Sequence, residues 1–209
     1  MSSSAPPDLL AWARQVQAIA QNGLAFTHDP FDRERYTQLA ELVTLLLARE
    51  LDMPAAAARA LWAGEHGYAT PKVDVRGGVF LEDRVLLVRE RSDGRWTVPG
   101  GWADVNDAPS EAVAREIHEE SGYRARPVKL AALIDKNRHP HPAGVHHIYK
   151  LFFVCALEGG AAATSSETDA VEFFPVRRLP PLSTGRVLPQ QIERLYQHHL
   201  DPALPTDFD

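Results

Sequence analysis

The chain has 209 residues, a net charge of −6 and 44% hydrophobic residues. Its length suits one medium domain, or one domain with a small appendage, and its apolar fraction is that of a globular core. The acidic balance argues against binding along an extended nucleic-acid backbone, which needs a basic face. The first residues lack the basic and apolar regions of a signal peptide, and no apolar run is long enough to span a membrane.

A single cysteine, Cys155, excludes an internal disulfide. A chain with one cysteine suits a reducing compartment, so we expect a cytoplasmic protein. The apolar neighbours Phe152, Phe153 and Val154 predict a buried structural thiol at Cys155 rather than a nucleophile.

Residues 1–66 are predicted to form a small all-α domain. The expected helices run from Leu9 to a stop at Asn22-Gly23, over residues 33–50 with Asp32 as cap, and over residues 55–63. The leucines between residues 39 and 47 cover a wider face than one partner helix can bury. About 65 residues are marginal for independent folding. We therefore expect this unit to dock on the rest of the chain or to form a homodimer.

Residues 67–209 form the second predicted domain, in which strands and helices intermix. The expected strands are 72–80, 84–90, 95–98, 128–135, 146–157 and 171–175, followed by a closing helix at 187–200 and a tail at 201–209. These elements lack the strict βαβ alternation of a parallel fold. The predicted fold class is therefore α+β.

Residues 101–123 gather the acidity of the chain, with six acidic residues and one basic residue. On a helix, Glu116, Glu119 and Glu120 fall at i, i+3 and i+4 and so share one face. Each like-charged pair on such a face costs roughly 0.2–0.5 kcal/mol, which indicates a cationic partner. Oxygen-only ligands suit a hard divalent cation, Mg²⁺ first and Mn²⁺ as the alternative.

The sequence also predicts both ends of this acidic helix. Asn106 or Asp107 can cap its start, and Gly122 can adopt the left-handed conformation that ends it. Arg115 points off the glutamate face and is expected to hold the segment rigid through a bidentate bond to a nearby carboxylate.

The acidic segment resembles the Nudix box, the signature of hydrolases that cleave a nucleoside diphosphate linked to another moiety. The matching positions are Gly101, Arg115, Glu116, Glu119, Glu120 and Gly122. A solvated acidic helix, the alternative, does not explain the flanking glycines or the arginine. In one position the chain departs from the family, because Asp107 stands where the family has glutamate.

This resemblance implies an α/β/α sandwich with a mixed sheet and Mg²⁺-dependent hydrolysis to a nucleoside monophosphate and a phosphorylated X. It implies Glu116, Glu119, Glu120 and Gly101 as metal ligands, with one glutamate orienting or deprotonating the attacking water. The family often draws a further acid from a loop, for which Glu167 is the candidate, ahead of Asp169 and Glu172. An ordinary solvated loop acid is the alternative for Glu167.

The N-terminal region resembles the helical extension of one bacterial Nudix subgroup. The similar stretches are residues 20–24, 29–32 and 35–36. Members of that subgroup are linked with CDP-choline or ADP-ribose type substrates, and the extension contributes to dimer formation. The resemblance thus implies a homodimer acting on a nucleotide-linked small molecule.

Several further residues are candidates for binding substrate. Lys136 and Arg138 lie in a histidine-rich segment with His139, His141, His146 and His147, where phosphate recognition is favoured over a zinc site because no cysteine lies nearby. Arg76 and Arg89 on strands can bind phosphate or face outward. Trp102 can stack on a base, although burial is expected first, and Trp96 is expected in the core.

Two other functions remain open on the sequence. A house-cleaning nucleoside triphosphate pyrophosphohydrolase is less favoured, because the helical extension is typical of the first subgroup. A nucleotide-binding sensor without turnover would not need the full carboxylate set, and only Asp107 favours it.

Overall fold

The computed structural model describes residues 9–209, which divide into two compact units. The first unit ends at Pro71 and also includes residues 143–147, whereas the second comprises residues 72–142 and 148–209. The predicted domain boundary, between residues 66 and 67, lies shortly before the observed boundary after Pro71. Residues 143–147 were predicted with the second domain and lie in the first unit. Residues 1–8 of the predicted helical domain lie outside the described residues.

The first unit contains three helices, α1 (Leu9–Phe26), α2 (Pro30–Glu50) and α3 (Ala55–Trp62). Its small core is built around Ala13, Val43 and Leu47. Residues 143–147 join this unit through the Gly144 carbonyl, which accepts a hydrogen bond of 2.8 Å from Arg14. The predicted all-α character of the extension is therefore confirmed for the helices that the structure describes.

Two predicted helix ends in this unit are wrong. Helix α1 continues through Asn22-Gly23, where Gly23 lies so close to the ring of Tyr36 that a Cβ atom would be 2.5 Å from it. Helix α2 is capped by Asp29 rather than Asp32, because Asp29 Oδ1 accepts from two backbone N–H groups at 2.8 and 2.9 Å. At the end of α1, close packing of Gly23 against Tyr36 thus overrides the stop signal of Asn22-Gly23.

The second unit is built on a mixed sheet. Its strands are β1 (Lys72–Leu81), β2 (Arg84–Glu90), β3 (Trp96–Thr97), β4 (Tyr123–Asp135), β5 (Ile148–Gly160), β6 (Thr168–Pro175) and β7 (Asp207–Phe208). Among described residues the order is β3-β2-β1-β5-β4-β7, with β6 also paired to β2. Strand β1 is parallel to β5 and antiparallel to β2. The mixed sheet and the α+β class are as predicted.

Helices α4 (Pro109–Ser121) and α5 (Pro189–Leu200) cover opposite faces of this sheet. Val75 and Val79 pack with Ile117 of α4, whereas Phe80 and Phe152 pack with Leu195 of α5. Alternation along β1 therefore sends successive residues to the two layers. This arrangement gives the α/β/α sandwich that the sequence analysis expected.

The segment predicted as a tail is ordered against the sheet. Strand β7 pairs in parallel with β4, and Lys129 Nζ donates to the carbonyls of Pro202 and Leu204 at 3.0 and 2.6 Å. The prediction of a tail is therefore wrong. The sequence of residues 201–209 did not indicate these contacts, because the partners lie far away along the chain. Within residues 9–209, no helix combines the length and apolarity needed to cross a membrane.

Candidate active site

The turn of residues 99–101 lies directly against β1. The backbone N–H groups of Val75 and Gly77 donate to the carbonyls of Gly101 and Pro99, both at 2.9 Å. Gly100 has φ +145°, and a Cβ atom there would lie 2.0 Å from the Val75 carbonyl oxygen. Only glycine fits at that position, so the turn can approach the strand closely.

Helix α4 brings the acidic segment to this turn. Its first turn is capped by Glu111, whose carboxylate accepts a hydrogen bond from the Ala108 N–H at 3.1 Å. The prediction that Asn106 or Asp107 caps the helix is therefore wrong. The helix ends at Gly122 with φ +75°, as predicted. Its apolar side faces the sheet, so its glutamates lie along the turn.

Two of the three glutamates lie beside the glycines. Glu120 is 5% exposed, and its Oε2 accepts a 2.9 Å hydrogen bond from the Gly100 N–H. A Cβ atom on Gly101 would lie 2.9 Å from Glu116 Oε2. The side chain of Glu119 is 56% exposed and bonds to Arg115 at 3.0 Å. The trio therefore shares one helix face, but Glu119 lies at its outer edge.

Arg115 connects four carboxylates rather than binding one of them in bidentate fashion. Its guanidinium bonds Asp104, Asp107, Glu116 and Glu119 at distances of 3.0–3.2 Å. The bidentate prediction is wrong, because the loop and the helix offer carboxylates on several sides. Asp107, the departure from the family pattern, is long enough to reach Arg115 and so ties the loop to the helix.

Burial changes the acidity of the glutamates. It raises the pKa of Glu120 to about 8, against the opposing influence of Arg76 and the Gly100 amide. Burial also raises the pKa of Glu116 and of Glu90. Carboxylates that are costly to ionise in the absence of a cation are suited to binding one.

Glu90 lies near these glutamates, although the sequence did not predict it as a site residue. It ends β2, is 4% exposed and pairs with Arg186 at 2.9 Å, and its charge acts on Glu120. A charged residue at the end of an apolar strand gives no sign of burial by itself. Its position follows from the strand pairing and from a partner much later in the chain.

Arg76 lies in a buried ion-pair network instead of at a strand surface. Its guanidinium bonds both oxygens of Asp74 at 2.7 and 3.0 Å, and Lys150 pairs with the same carboxylate at 3.0 Å. Burial alone would raise the pKa of Asp74, but the two cations hold it below its usual value. Burial lowers the pKa of Lys150 to about 8. The outward-facing alternative for Arg76 is therefore wrong.

The candidate loop acid Glu167 is exposed and follows Ser165 in a tight turn. Its backbone carbonyl accepts from the Arg91 N–H at 2.8 Å, which fixes the loop beside β2. Asp169 is paired with Arg89 at 2.6 Å. Arg89 thus lies close to the loop, on the strand that pairs with β6.

The other predicted binding residues lie on a loop with several anchors. Lys136 and Arg138 form a 3₁₀ turn, with Arg138 exposed. His139 bonds Asp209 at 3.1 Å, whereas His141 Nδ1 donates to the Thr184 carbonyl at 2.7 Å. Burial lowers the pKa of His141 to about 4, so it is neutral.

The tryptophans and the cysteine differ in their surroundings. Trp96 packs edge-on against Phe174 in the core, as expected. Trp102 is 49% exposed, so the expectation of burial is wrong and its ring is accessible for stacking. Cys155 is buried, and burial raises the pKa of its thiol to about 12. This agrees with a structural thiol.

The donor set fits a hard divalent cation. Among residues 9–209, no three His, Cys, Asp or Glu side chains are already gathered closely enough to hold a metal ion. A cation would lower the raised pKa values of Glu116 and Glu120 and so favour their ionised, acceptor-only form. Both side chains flank the turn that carries the Gly101 carbonyl. That carbonyl accepts from the Val75 N–H and retains a second lone pair.

Comparison with known proteins agrees with the fold and the acidic helix. A NUDIX domain family matches residues 71–195, and a family described as a UDP-X-like N-terminal oligomerisation domain matches residues 7–62. A protein of Bacillus subtilis (strain 168), provisionally named ADP-ribose pyrophosphatase YjhB, is 44% identical over 94% of this chain and 95% of its own length.

Two solved structures are also similar. One, of a UDP-X diphosphatase, is 33% identical with a TM-score of 0.63 and covers 97% of this chain and 98% of its own. The other, of an ADP-ribose pyrophosphatase from Streptococcus suis 89-1591, is 36% identical with a TM-score of 0.62 and covers 67% and 100%.

The sandwich and its glutamate helix define a hydrolase of phosphoanhydride bonds. The chain belongs to the NUDIX family, as a pyrophosphatase with an N-terminal oligomerisation domain that cleaves a nucleoside diphosphate linked to another moiety. Members of this family use divalent metal ions.

Proposed function

We propose that the protein hydrolyses the diphosphate of a nucleoside diphosphate sugar, with ADP-ribose as the first candidate substrate. Two similar proteins carry ADP-ribose pyrophosphatase names, and one of them matches this chain over almost its whole length. The observation that carries the proposal is the pair of the buried Glu120 and the partly buried Glu116 beside the Gly100–Gly101 turn. Such a site suits a bridging diphosphate with its cation.

Mg²⁺ is the proposed ion, with Mn²⁺ as a substitute. Glu116, Glu120 and the Gly101 carbonyl would hold it, and Glu119 would join by turning away from Arg115. When bound, such an ion neutralises phosphate oxygens and lowers the pKa of water. Arg115 is proposed to hold the loop to the helix while the glutamates bind the ion.

Glu167 is proposed as the general base. Water attacks one phosphorus atom, its proton passes to the Glu167 carboxylate, and the bond from that phosphorus to the bridging oxygen breaks. The bridging oxygen leaves with the other phosphate, which gives a nucleoside monophosphate and a phosphorylated X. Four residues are proposed to bind the phosphates or the base of the substrate: Arg89, Trp102, Lys136 and Arg138. Arg76 is also proposed to bind phosphate, from its buried position.

A panel of substrates with Mg²⁺ tests this function. ADP-ribose, CDP-choline, UDP-sugars and nucleoside triphosphates would be compared by kcat/KM, with the products identified. We expect a nucleoside monophosphate from a diphosphate-linked substrate. A preference for triphosphates with release of pyrophosphate would favour the house-cleaning alternative, and binding without turnover of any compound would favour the sensor.

We propose that the oligomer expected from the N-terminal family is a homodimer formed by the helical unit. Leu42 and Leu45 are 64% and 46% exposed on α2, and Phe31 on the same helix is 67% exposed. Exposed apolar side chains on one helix are typical of a contact surface. The cytoplasmic location expected from Cys155 stays a prediction.

Light scattering tests the dimer. We expect twice the monomer mass at micromolar concentration, and a monomer for the double variant Leu42→Glu/Leu45→Glu, because two charges cannot be buried in an apolar contact. Glu50→Gln, at the exposed end of α2 and off the face that carries Leu42 and Leu45, is the control. A monomeric unaltered protein would contradict the proposal.

A further inference from the structure

The turn that carries Glu167 is bonded to the glutamate helix through one buried hydroxyl. Thr168, the first residue of β6, is 0% exposed. Its Oγ1 donates a 2.7 Å hydrogen bond to the backbone carbonyl of Glu120. This carbonyl lies near the end of α4, where carbonyl groups lack helical partners. The bond therefore satisfies a helix end and fixes the start of β6 to it.

Thr168 also closes the turn that precedes it. Ser165 N–H donates to the Thr168 carbonyl at 3.1 Å, and Ser165 Oγ accepts from the N–H groups of Glu167 and Thr168, both at 3.1 Å. The two hydroxyl oxygens lie 3.1 Å apart. The backbone of Glu167 is thus held on both sides by a small network that ends at Glu120.

We propose that Thr168 is a positioning residue that sets the distance between the Glu167 carboxylate and the glutamates of α4. This inference rests on the proposed role of Glu167 as base. A base on an exposed turn must be held within hydrogen-bond reach of its water. The buried Oγ1 bond provides a fixed reference, since it links Glu167 to a residue of the metal-binding helix by one side chain.

The threonine suits this task better than its neighbours do. Asp169 and Arg89 form a partly exposed pair, with side-chain exposures of 33% and 41%. Such pairs contribute little and are screened by salt. A buried hydroxyl bonded to a carbonyl has no competing water, so its geometry is stable.

Two variants of Thr168 separate positioning from packing. Thr168→Val keeps the shape and removes the hydroxyl, and we expect kcat for the best substrate to fall about tenfold with KM nearly unchanged, because small displacements of a catalytic group cost 10–100-fold. Thr168→Ser keeps the hydroxyl and should recover most of kcat. Thr44→Val is the matched control, since Thr44 is buried and its Oγ1 donates to the Ala40 carbonyl at 2.8 Å.

A double-mutant cycle with Glu167→Gln tests the route of the effect. Glu167→Gln alone should lower kcat by about 100-fold or more. If Thr168 acts through Glu167, then Thr168→Val adds no further loss in the double variant. Multiplied losses, or full activity of Thr168→Val, would overturn the positioning role. Full activity of Glu167→Gln would overturn the base and the inference that rests on it, while substrate turnover by the unaltered protein would still support the proposed function.

A readout independent of activity completes the experiment. Hydrogen exchange of the Glu167 and Thr168 amides should speed up in Thr168→Val and not in Thr44→Val. If Thr168→Val fails to fold, Thr168→Ala serves instead, because it also removes the hydroxyl that donates to the Glu120 carbonyl and does so without adding a methyl group in its place. It should lower kcat in the same non-additive way, and unchanged kcat would overturn the inference.

Discussion

Glu120→Gln is expected to lower kcat by about 10²-fold or more, because a bound cation contributes several kcal/mol to stabilising the transition state. The variant keeps the shape of the side chain and an oxygen for the Gly100 N–H, but it loses the charge that binds a cation. Steady-state kinetics over a range of Mg²⁺ concentrations measures the loss. Glu193→Gln, at an exposed position of α5, is the control and should stay within about twofold, as surface changes do.

The same variant should be more stable than the unaltered protein when chelator removes divalent ions. The unfolded chain releases the Glu120 proton near pH 4.5 and the folded chain near pH 8. Folded protein therefore loses stability as pH rises between these values, by up to about 1.4 kcal/mol per pH unit. Glu120→Gln lacks this loss. Equal pH dependence of the two proteins in urea unfolding would contradict the buried position of Glu120.

Asp74→Asn is expected to destabilise the protein by about 3–5 kcal/mol, the cost of leaving buried charge without its partner. Asp74 is the carboxylate shared by Arg76 and Lys150, and all three side chains are at most 8% exposed. Equilibrium unfolding in urea at pH 7 measures the change. The cost should shrink as pH rises towards 8, because loss of the Asp74 charge lowers the pKa of Lys150 further, and the variant then releases that proton where the unaltered protein retains it.

An exposed ion pair provides the control for Asp74. Arg126 and Glu158 bond at 2.9 Å with side-chain exposures of 63% and 50%. Glu158→Gln should change stability by about 1 kcal/mol or less. If Asp74→Asn costs no more than Glu158→Gln, the network contributes nothing to stability and its role lies elsewhere.

The features that the sequence could predict are those set by local spacing. The i, i+3, i+4 glutamates, the left-handed Gly122 and strand β2 need only neighbouring residues to be recognised. Their positions agree with the structure because helix and strand periods act over a few residues. The fold class followed from the order of these elements.

The features that the sequence could not predict depend on distant partners. Asp74 and Lys150 meet because β1 and β5 pair in one register, and nothing near either residue specifies it. Glu90 and Thr168 are buried by elements that follow them or precede them by many residues. Polar residues on strands read as surface until the partner strand is known.

Residues 143–147 give the helical unit a second attachment to the chain. Gly144 and His146 take their partners from Arg14 and from Trp62, whose ring lies 5.5 Å from the imidazole. Cutting the polypeptide after Pro71 would thus leave that short loop on one fragment and the residues it bonds to on the other. Cleavage at this link should therefore raise hydrogen exchange in residues 143–147, even where the rest of the fragment keeps its protection.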